Sequence, residues 1–426
     1  MKPSPYPIEQ VLGMRYYVCD TDGIGGVLRR EAEDFLVHEI DGDVKLSDTS
    51  PGKYLICRLT KKNWELQRAV KEIAKILGIS HRRISWAGTK DKHAVTDQLI
   101  SIYDVPETAV QNIRLKDITL TPVGRSHQQI SLGDLQGNRF EITIRSCRAD
   151  DIAASVFETD TCVADGVPNY FGIQRFGVQR PVTHQVGRQI LLDRYEEAVN
   201  TYVGFPSEGE DETIAAARTA YLSDRDPKAA LEALPVQMRY ERAILHHLTE
   251  VPEDYEGALK RVPPKLLSMF VSAYQSWLFN EGLSHRIEEG HPLSVPALGD
   301  RVIFQNGKQD IVCDANINQA TVLVKRGRAH ICLEMPGEKT VPTQSSAEQQ
   351  ITALMEADGI SYASFKKAGE MTGMSFKGAV RRISVGAAVT SAVCDDTVRL
   401  AFSLGPGQYA TTICREYMKA DPRQMI

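Results

Sequence analysis

The chain reads as an α+β protein split by an insertion, and three observations predict this. Alternating apolar and polar runs fill its first part, helical periodicities dominate beyond Gly177, and strand character returns in the last forty residues. At 426 residues it is too long for one compact core, so two domains or one domain with a large insert is expected. Sheet, then helices, then sheet again suggests one α+β domain interrupted in its middle.

The elements follow in order. Asp34 to Ile40 alternates as a half-buried strand does, and Lys53 to Leu59 looks like another. Asn63 is a candidate cap for a helix carrying Leu66, Val70, Ile73 and Leu77 on one face, with Gly78 as its stop. Arg83 to Ala87 forms a short strand leading into the polar turn Gly88-Thr89-Lys90-Asp91-Lys92-His93, and Gln98 to Tyr103 returns as a strand. Further strands are expected at 128–132 and 140–144, with a turn at Gly137-Asn138. The helix-rich middle predicts helices near 187–199, 212–222, 227–233, 238–248 and 265–280. Ser345 and Glu348 form a capping box ahead of Ile351, Leu354 and Met355, and Thr397 to Leu404 is a strand.

Composition narrows the function. With 42% hydrophobic and 25% charged residues the chain resembles an ordinary soluble protein, and no apolar run could span a bilayer. The start, Met1-Lys2-Pro3-Ser4-Pro5-Tyr6-Pro7, lacks an apolar signal core, so a cytoplasmic location is expected. The eight cysteines form no Cys-x-x-Cys pair and read mostly as small buried thiols. The ten histidines show no His-Glu-x-x-His spacing, so metal catalysis is disfavoured; Rossmann and P-loop signatures are also missing. Net charge is −5, but from Lys53 to Lys92 eleven basic residues face only Glu65, Glu72 and Asp91. That asymmetry suits a phosphate-facing surface, although a solvated helix face has the same composition.

Three constellations could carry chemistry. In Gly88-Thr89-Lys90-Asp91-Lys92-His93-Ala94-Val95-Thr96-Asp97-Gln98, two lysines flank a carboxylate at a strand end and favour its ionised form. In Leu135-Gln136-Gly137-Asn138-Arg139-Phe140, an exposed Phe140 could stack on an unpaired base and the Asn138 amide could hold the loop or a base edge. Val167 to Gly177 interleaves three aromatics, two amides and an arginine with two glycines, a composition suited to bases and phosphate. Each of these, taken alone, also describes a common turn or an aromatic hairpin in a core.

Together they resemble the TruD family of tRNA pseudouridine synthases across the whole chain. The strings in question are Glu33-Asp34-Phe35-Leu36-Val37-His38-Glu39, Gly88 to Gln98, Gly137-Asn138-Arg139-Phe140, Val167 to Gly177, and Gly407-x-Tyr409-Ala410-Thr411 followed by Arg415-Glu416. Five such strings in one order make chance a poor explanation.

The resemblance implies a mixed, mainly antiparallel sheet in a catalytic domain formed by residues 1–165 and 385–426. Residues 166–384 would be a helix-rich inserted α/β domain, in the long form of archaeal and eukaryotic relatives. It places Asp91 on the family's catalytic aspartate and Phe140 on the aromatic that stacks the target base. Asn138 is the asparagine of that motif, and Lys90, Gln174 and Arg175 complete the expected substrate-binding set. Arg29, expected as a catalytic partner, stands where members usually carry a lysine, which keeps the charge but not the geometry. A second departure is Leu404-Gly405-Pro406-Gly407, where members more often read Leu-Pro-x-Gly.

The expected activity is isomerisation of a tRNA uridine, pointing to uridine 13 in the D arm, with no cofactor. Asp91, held ionised by Arg29 or Lys90, would attack C1′ or C6 of a flipped-out nucleotide. The expected partner is tRNA, with no membrane and no obligate protein partner, and the protein would be a monomer. A tRNA-binding protein or RNA chaperone on the same scaffold is the alternative, separated by product formation. A hydrolase using Glu33, Asp34 or Glu39 as a second carboxylate would instead release uracil.

Overall fold

A computed structural model describes residues 1–47 and 52–425. The chain divides into two compact units, Cys19–Asp165 with Gly386–Ile426, and Met1–Val18 with Gly166–Val385. Residues 1–18, expected in the first part of the catalytic domain, cluster with the helix-rich segment instead.

The first unit is built on a nine-stranded sheet. Its main path runs Thr390–Cys394, Thr397–Leu404, Leu135–Cys147, Phe35–Asp41, Val95–Tyr103, Tyr54–Lys62, Ile118–Ser126. Gly25–Val27 and Ile84–Trp86 join from the side. Every pairing is antiparallel except that of Phe35–Asp41 with Val95–Tyr103. The helix Leu66–Ile76 buries Leu66, Ala69, Val70, Ile73 and Ala74, one helical stripe, against Leu55, Cys57 and Leu59 on one face of the sheet. Its cap is Glu65, whose carboxylate accepts from the Gln67 and Arg68 amides, and not Asn63, which sits in the left-handed region at φ 57.

Two sequence expectations here are corrected. Residues 128–132 form no strand; the strand is Ile118–Ser126, and Leu132 is left exposed in a loop. The segment alternates, but only Ile130 buries its side chain, so period-two patterning marked a loop that touches the core once. Gly137-Asn138 is no turn either, because both lie inside the strand Leu135–Cys147. Gly137 is needed there because the Leu404 carbonyl of the neighbouring strand approaches within 2.3 Å of where a Cβ would stand.

The second unit is centred on the helix Pro264–Glu288, which buries residues from Leu267 to Ile287 and packs on the helices Thr183–Leu191 and Ser346–Asp358. The single helix expected at 187–199 is two, Thr183–Leu191 and Tyr195–Gly204, broken at Asp193 with φ 57. Ser345 does cap its helix, accepting from the Glu348 amide, but the Glu348 carboxylate turns to Arg301 and the Thr343 amide. A four-stranded sheet (Gln309–Ile311, Arg301–Phe304, Ala329–Met335, Ala379–Arg382) was not visible as strands in a helix-rich sequence. The N-terminal residues join this unit through polar bonds to the central helix. Asn280 donates to the Leu12 carbonyl at 2.9 Å, Ser284 donates to Gly13 at 2.7 Å, and Arg15 pairs with Glu281. Among the described residues no helix is long and apolar enough to cross a membrane.

Candidate active site

Asp91 occupies the loop between Ile84–Trp86 and Val95–Tyr103, two strands paired as a hairpin. Four bonds pin that loop. Gln98 Nε2 donates to the Gly88 carbonyl at 3.0 Å, and the Gly133 amide to the Ala87 carbonyl at 2.8 Å. The Asn63 amide donates to the Ala94 carbonyl at 3.2 Å, and Lys61 Nζ to the Asp91 carbonyl at 2.8 Å. The Asp91 side chain stays open to solvent, 47% exposed, and faces Arg29, whose Nη2 lies 3.5 Å from Oδ2.

Beside this loop the sheet carries an unusual face. Side chains two residues apart on a strand share a face, so Leu55, Cys57, Leu59 and Lys61 point the same way. Lys61 pairs with Thr96, Thr96 with Val37, Val37 with Phe140 and Phe140 with Phe402, one row across five strands. One step along, Glu39 pairs with Asn138, and Leu59 with Gln98. Apolar ends thus flank a central island of Lys61, Thr96, Gln98, Glu39 and Asn138. Lys61, Thr96, Gln98 and Glu39 are all buried.

The island is dry and charged. Lys90 turns inward and forms an ion pair with Glu39, the two side chains 4% and 1% exposed. Glu39 also accepts from the Leu99 amide at 3.2 Å. Burial raises the Glu39 carboxyl, and Lys90 works against that rise. Burial likewise pushes the Lys61 ammonium down to about 8, opposed by the charge of Asp91. Four buried polar atoms here have no hydrogen-bond partner: Arg29 Nε, Thr96 Oγ1, Gln98 Oε1 and Asn138 Oδ1. Each such atom costs about 1–3 kcal/mol in a folded protein, so their concentration beside one exposed carboxylate marks a surface shaped for a ligand.

Each expected site residue has a definite place. Arg29 is the cation facing Asp91, while Lys90 is committed to Glu39. The guanidinium of Arg29 lies 4.0 Å from the centroid of the Phe35 ring, a contact open to the flat guanidinium in a way an ammonium does not match. Its backbone sits at φ 54, a left-handed conformation that is strained for an arginine and held where the charge is needed. Phe140 is not an exposed platform: it is 5% exposed, stacked on Phe402 at 5.6 Å and met by Phe35 at 72°. Gln174 and Arg175 belong to the other unit, in the turn Ile173–Arg175. Gln174 is exposed there, and Arg175 Nε donates to Ser276 Oγ at 3.0 Å.

Lys61, Thr96 and Gln98 were missed as site residues. The signal for Lys61 existed: a lysine at the inward phase of Leu55, Cys57 and Leu59 must either be paired or serve a site. Among the described residues no group of three or more His, Cys, Asp or Glu is placed to hold a metal ion.

Comparison with known proteins agrees in one direction. The model of the family tRNA pseudouridine synthase D (TruD) matches residues 11–417. The chain is 39% identical over 449 residues to a protein of Methanosarcina acetivorans named "Probable tRNA pseudouridine synthase D", covering 100% of both. A protein of the same name from Methanococcoides burtonii is 38% identical over 436 residues, with 98% of each covered. A crystal structure of a Methanosarcina mazei protein named "Putative tRNA pseudouridine synthase D (TruD)" superposes with a TM-score of 0.86 at 38% identity, covering 99% of both chains.

Proposed function

Because the chain belongs to the TruD family of tRNA pseudouridine synthases, we propose that Asp91 is its nucleophile and that its target is a flipped-out uridine, uridine 13 of the D arm. The observation that carries this reading is the pairing of opposites at one loop. A solvent-open carboxylate, faced by Arg29, stands beside a dry polar island whose bonds are incomplete.

The uridine leaves the stack because neither its glycosidic bond nor C5 can be reached within it, at a cost of about a few kcal/mol. Asp91 then attacks, at C1′ of the ribose or at C6 of the base. The N1–C1′ bond breaks, the uracil turns, C5 bonds to C1′, the bond to Asp91 is released, and the C5 proton is lost while N1 takes one up, so no net proton is exchanged. Arg29, 3.5 Å from Oδ2, orients the carboxylate for attack and offsets charge as the bond to the base breaks. Phe140, fixed by Phe402 and Phe35, provides a rigid apolar wall for the turning ring. The unpartnered Asn138 Oδ1 accepts from uracil N3–H, a donor that cytosine lacks at that position. Lys90 acts through Glu39, holding the floor of the site and not touching the substrate.

The test is conversion of unmodified tRNA transcripts by the purified protein without added cofactor, mapped by carbodiimide-blocked primer extension, with Asp91→Asn alongside. A stop in the D arm given by the wild type and absent from the variant is expected. Full activity of Asp91→Asn would remove the nucleophile from this residue. Tight binding without any stop would move the function to an RNA-binding protein.

A further inference from the structure

A second cluster of unpartnered polar atoms lies in the other unit, far along the sequence from Asp91. The helices Thr183–Leu191 and Pro264–Glu288 line a basin of about 320 Å³. Its walls include His184, Arg188, Gln189, Tyr274 and Trp277, with Phe205 at the rim. Three buried polar atoms on this short helix have no partner: His184 Nδ1, Arg188 Nε and Gln189 Oε1.

The basin is built and not merely left over. His184 is 6% exposed, stacked on Trp277 at 6.2 Å, and Trp277 stacks in turn on Tyr274 at 5.7 Å. Each ring is anchored. Phe176 meets His184 edge-on, Trp277 Nε1 donates to the Val11 carbonyl at 3.1 Å, and Tyr274 Oη donates to Asp358 at 2.7 Å. Asp358 also pairs with Arg188 at 2.6 Å, which fixes the guanidinium while leaving Nε unused. Burial pushes His184 down to about 4, so the ring is neutral at physiological pH and keeps an acceptor nitrogen. The half-exposed Phe205 stands where Arg180 donates to its carbonyl at 3.1 Å, holding the rim in place.

Aromatic walls beside the Arg188 guanidinium, the Gln189 amide and a neutral imidazole at His184 match a planar heterocycle that carries both donors and acceptors. A nucleobase edge has that pattern, and the volume admits a base with part of its sugar. We propose that this basin binds a second unpaired base of the tRNA substrate, distinct from the uridine that is isomerised. The proposal rests on tRNA being the substrate but not on Asp91 being the nucleophile. Such a site would add to binding of the whole RNA and leave the chemical step alone, because a base held away from the reacting atoms contributes equally to ground and transition states.

The full chain is irradiated at 254 nm with an unmodified tRNA transcript, and nucleotide adducts are mapped by mass spectrometry. KM and kcat are measured for Gln189→Leu and Trp277→Leu. An adduct on the peptide carrying His184 or Trp277 is expected, together with a KM raised about 5-fold or more in each variant and a kcat within twofold of wild type. The adduct is expected to survive a millimolar mixture of the four nucleoside monophosphates, since the base is tethered in the RNA; its loss would reassign the basin to free nucleotides. Adducts only on peptides of the Asp91 unit, or an unchanged KM for Gln189→Leu, would overturn the proposal. If the wild type forms the adduct but no pseudouridine, the assignment of the reaction fails and the base site stands.

Discussion

The two faces of the central strands carry similar residues and put them to different uses. On the outward face Arg58 bonds Asp97 at 2.6 Å and pairs with Asp41, and Thr60 donates to Asp97 at 3.0 Å. These side chains are partly open to water, with Arg58 30% exposed and Asp41 39%. One residue further along the same strands, on the inward face, Lys61, Thr96, Gln98 and the Lys90–Glu39 pair are almost wholly buried. A single step of strand phase separates a screened surface network from a dry reactive floor. Solvent, not residue type, assigns the role. Charges in water cost little and do little, whereas charges out of water are expensive and persist only where geometry or function holds them.

The largest expected difference between the faces is catalytic. Asp91→Asn, beside the dry floor, should lower kcat at least about 10³-fold, as loss of a nucleophile does. Asp97→Asn, on the wet face, should stay within threefold of wild type under the same initial-rate assay of pseudouridine formation. Equal losses in both variants would mean that the outward network also holds the reacting groups, and the contrast would collapse.

Stability comes next. Removing Lys90 as Lys90→Met strands Glu39 in the interior, and breaking a buried pair this way costs about 3–5 kcal/mol. Arg58→Met, with its partners able to turn to water, should cost no more than about 1 kcal/mol. Urea unfolding followed by circular dichroism reads both. The double variant Glu39→Gln/Lys90→Met should recover much of the loss, because no lone charge remains inside. If Lys90→Met proves as mild as Arg58→Met, the inward face is wetter than its geometry indicates.

The same contrast explains what could be read from the sequence. Asp91, Asn138 and Phe140 stood out as candidates because they sit in short motifs, Arg29 by its spacing from Phe35, and the helix stripe of Leu66, Val70 and Ile73 because periodicity reports burial. Lys61 and Lys90 were counted with the basic segment as phosphate-facing residues, yet both are buried. A local charge count cannot tell a lysine in water from one under a sheet, since tertiary packing decides that. Phe140 was misjudged similarly: Phe402, its stacking partner, lies 262 positions away, and no local pattern records the contact. The strand at 118–126 was hidden by its own weak alternation, with Pro122 at a point where the pairing with Tyr54–Lys62 slips register.

Lys61 gives the faces a pH signature. Its folded value of about 8 lies below the ordinary lysine value of about 10.4. Between those values the unfolded chain binds more protons, so stability rises with pH there, by about 1 kcal/mol per pH unit, and is flat below about 8. Activity should move the other way, since losing the Lys61 charge removes a cation from beside Asp91. The groups coupled to it are Asp91, Glu65 and Lys90. Against Lys61→Met, which lacks the titration, the wild type should show both the rise in stability and a basic limb in kcat/KM near pH 8. Parallel profiles would show that Lys61 does not titrate in this range.

The smallest effects belong to the cations that remain in water. Arg68, Lys71 and Lys75 form an exposed stripe at i, i+3 and i+7 on the helix Leu66–Ile76, whose opposite side packs on the same sheet face as the island. Placed outside, they can give affinity for a polyanion but no chemistry. Each replacement by Gln should weaken tRNA binding only severalfold. If each meets one phosphate of duplex RNA, the slope of log K against log salt should flatten by up to about 0.9 per residue removed, with kcat unchanged. Filter binding between 50 and 200 mM salt measures this. A slope untouched by the triple variant would leave the stripe a solvated surface, and the RNA would then owe its affinity to other cations of the chain.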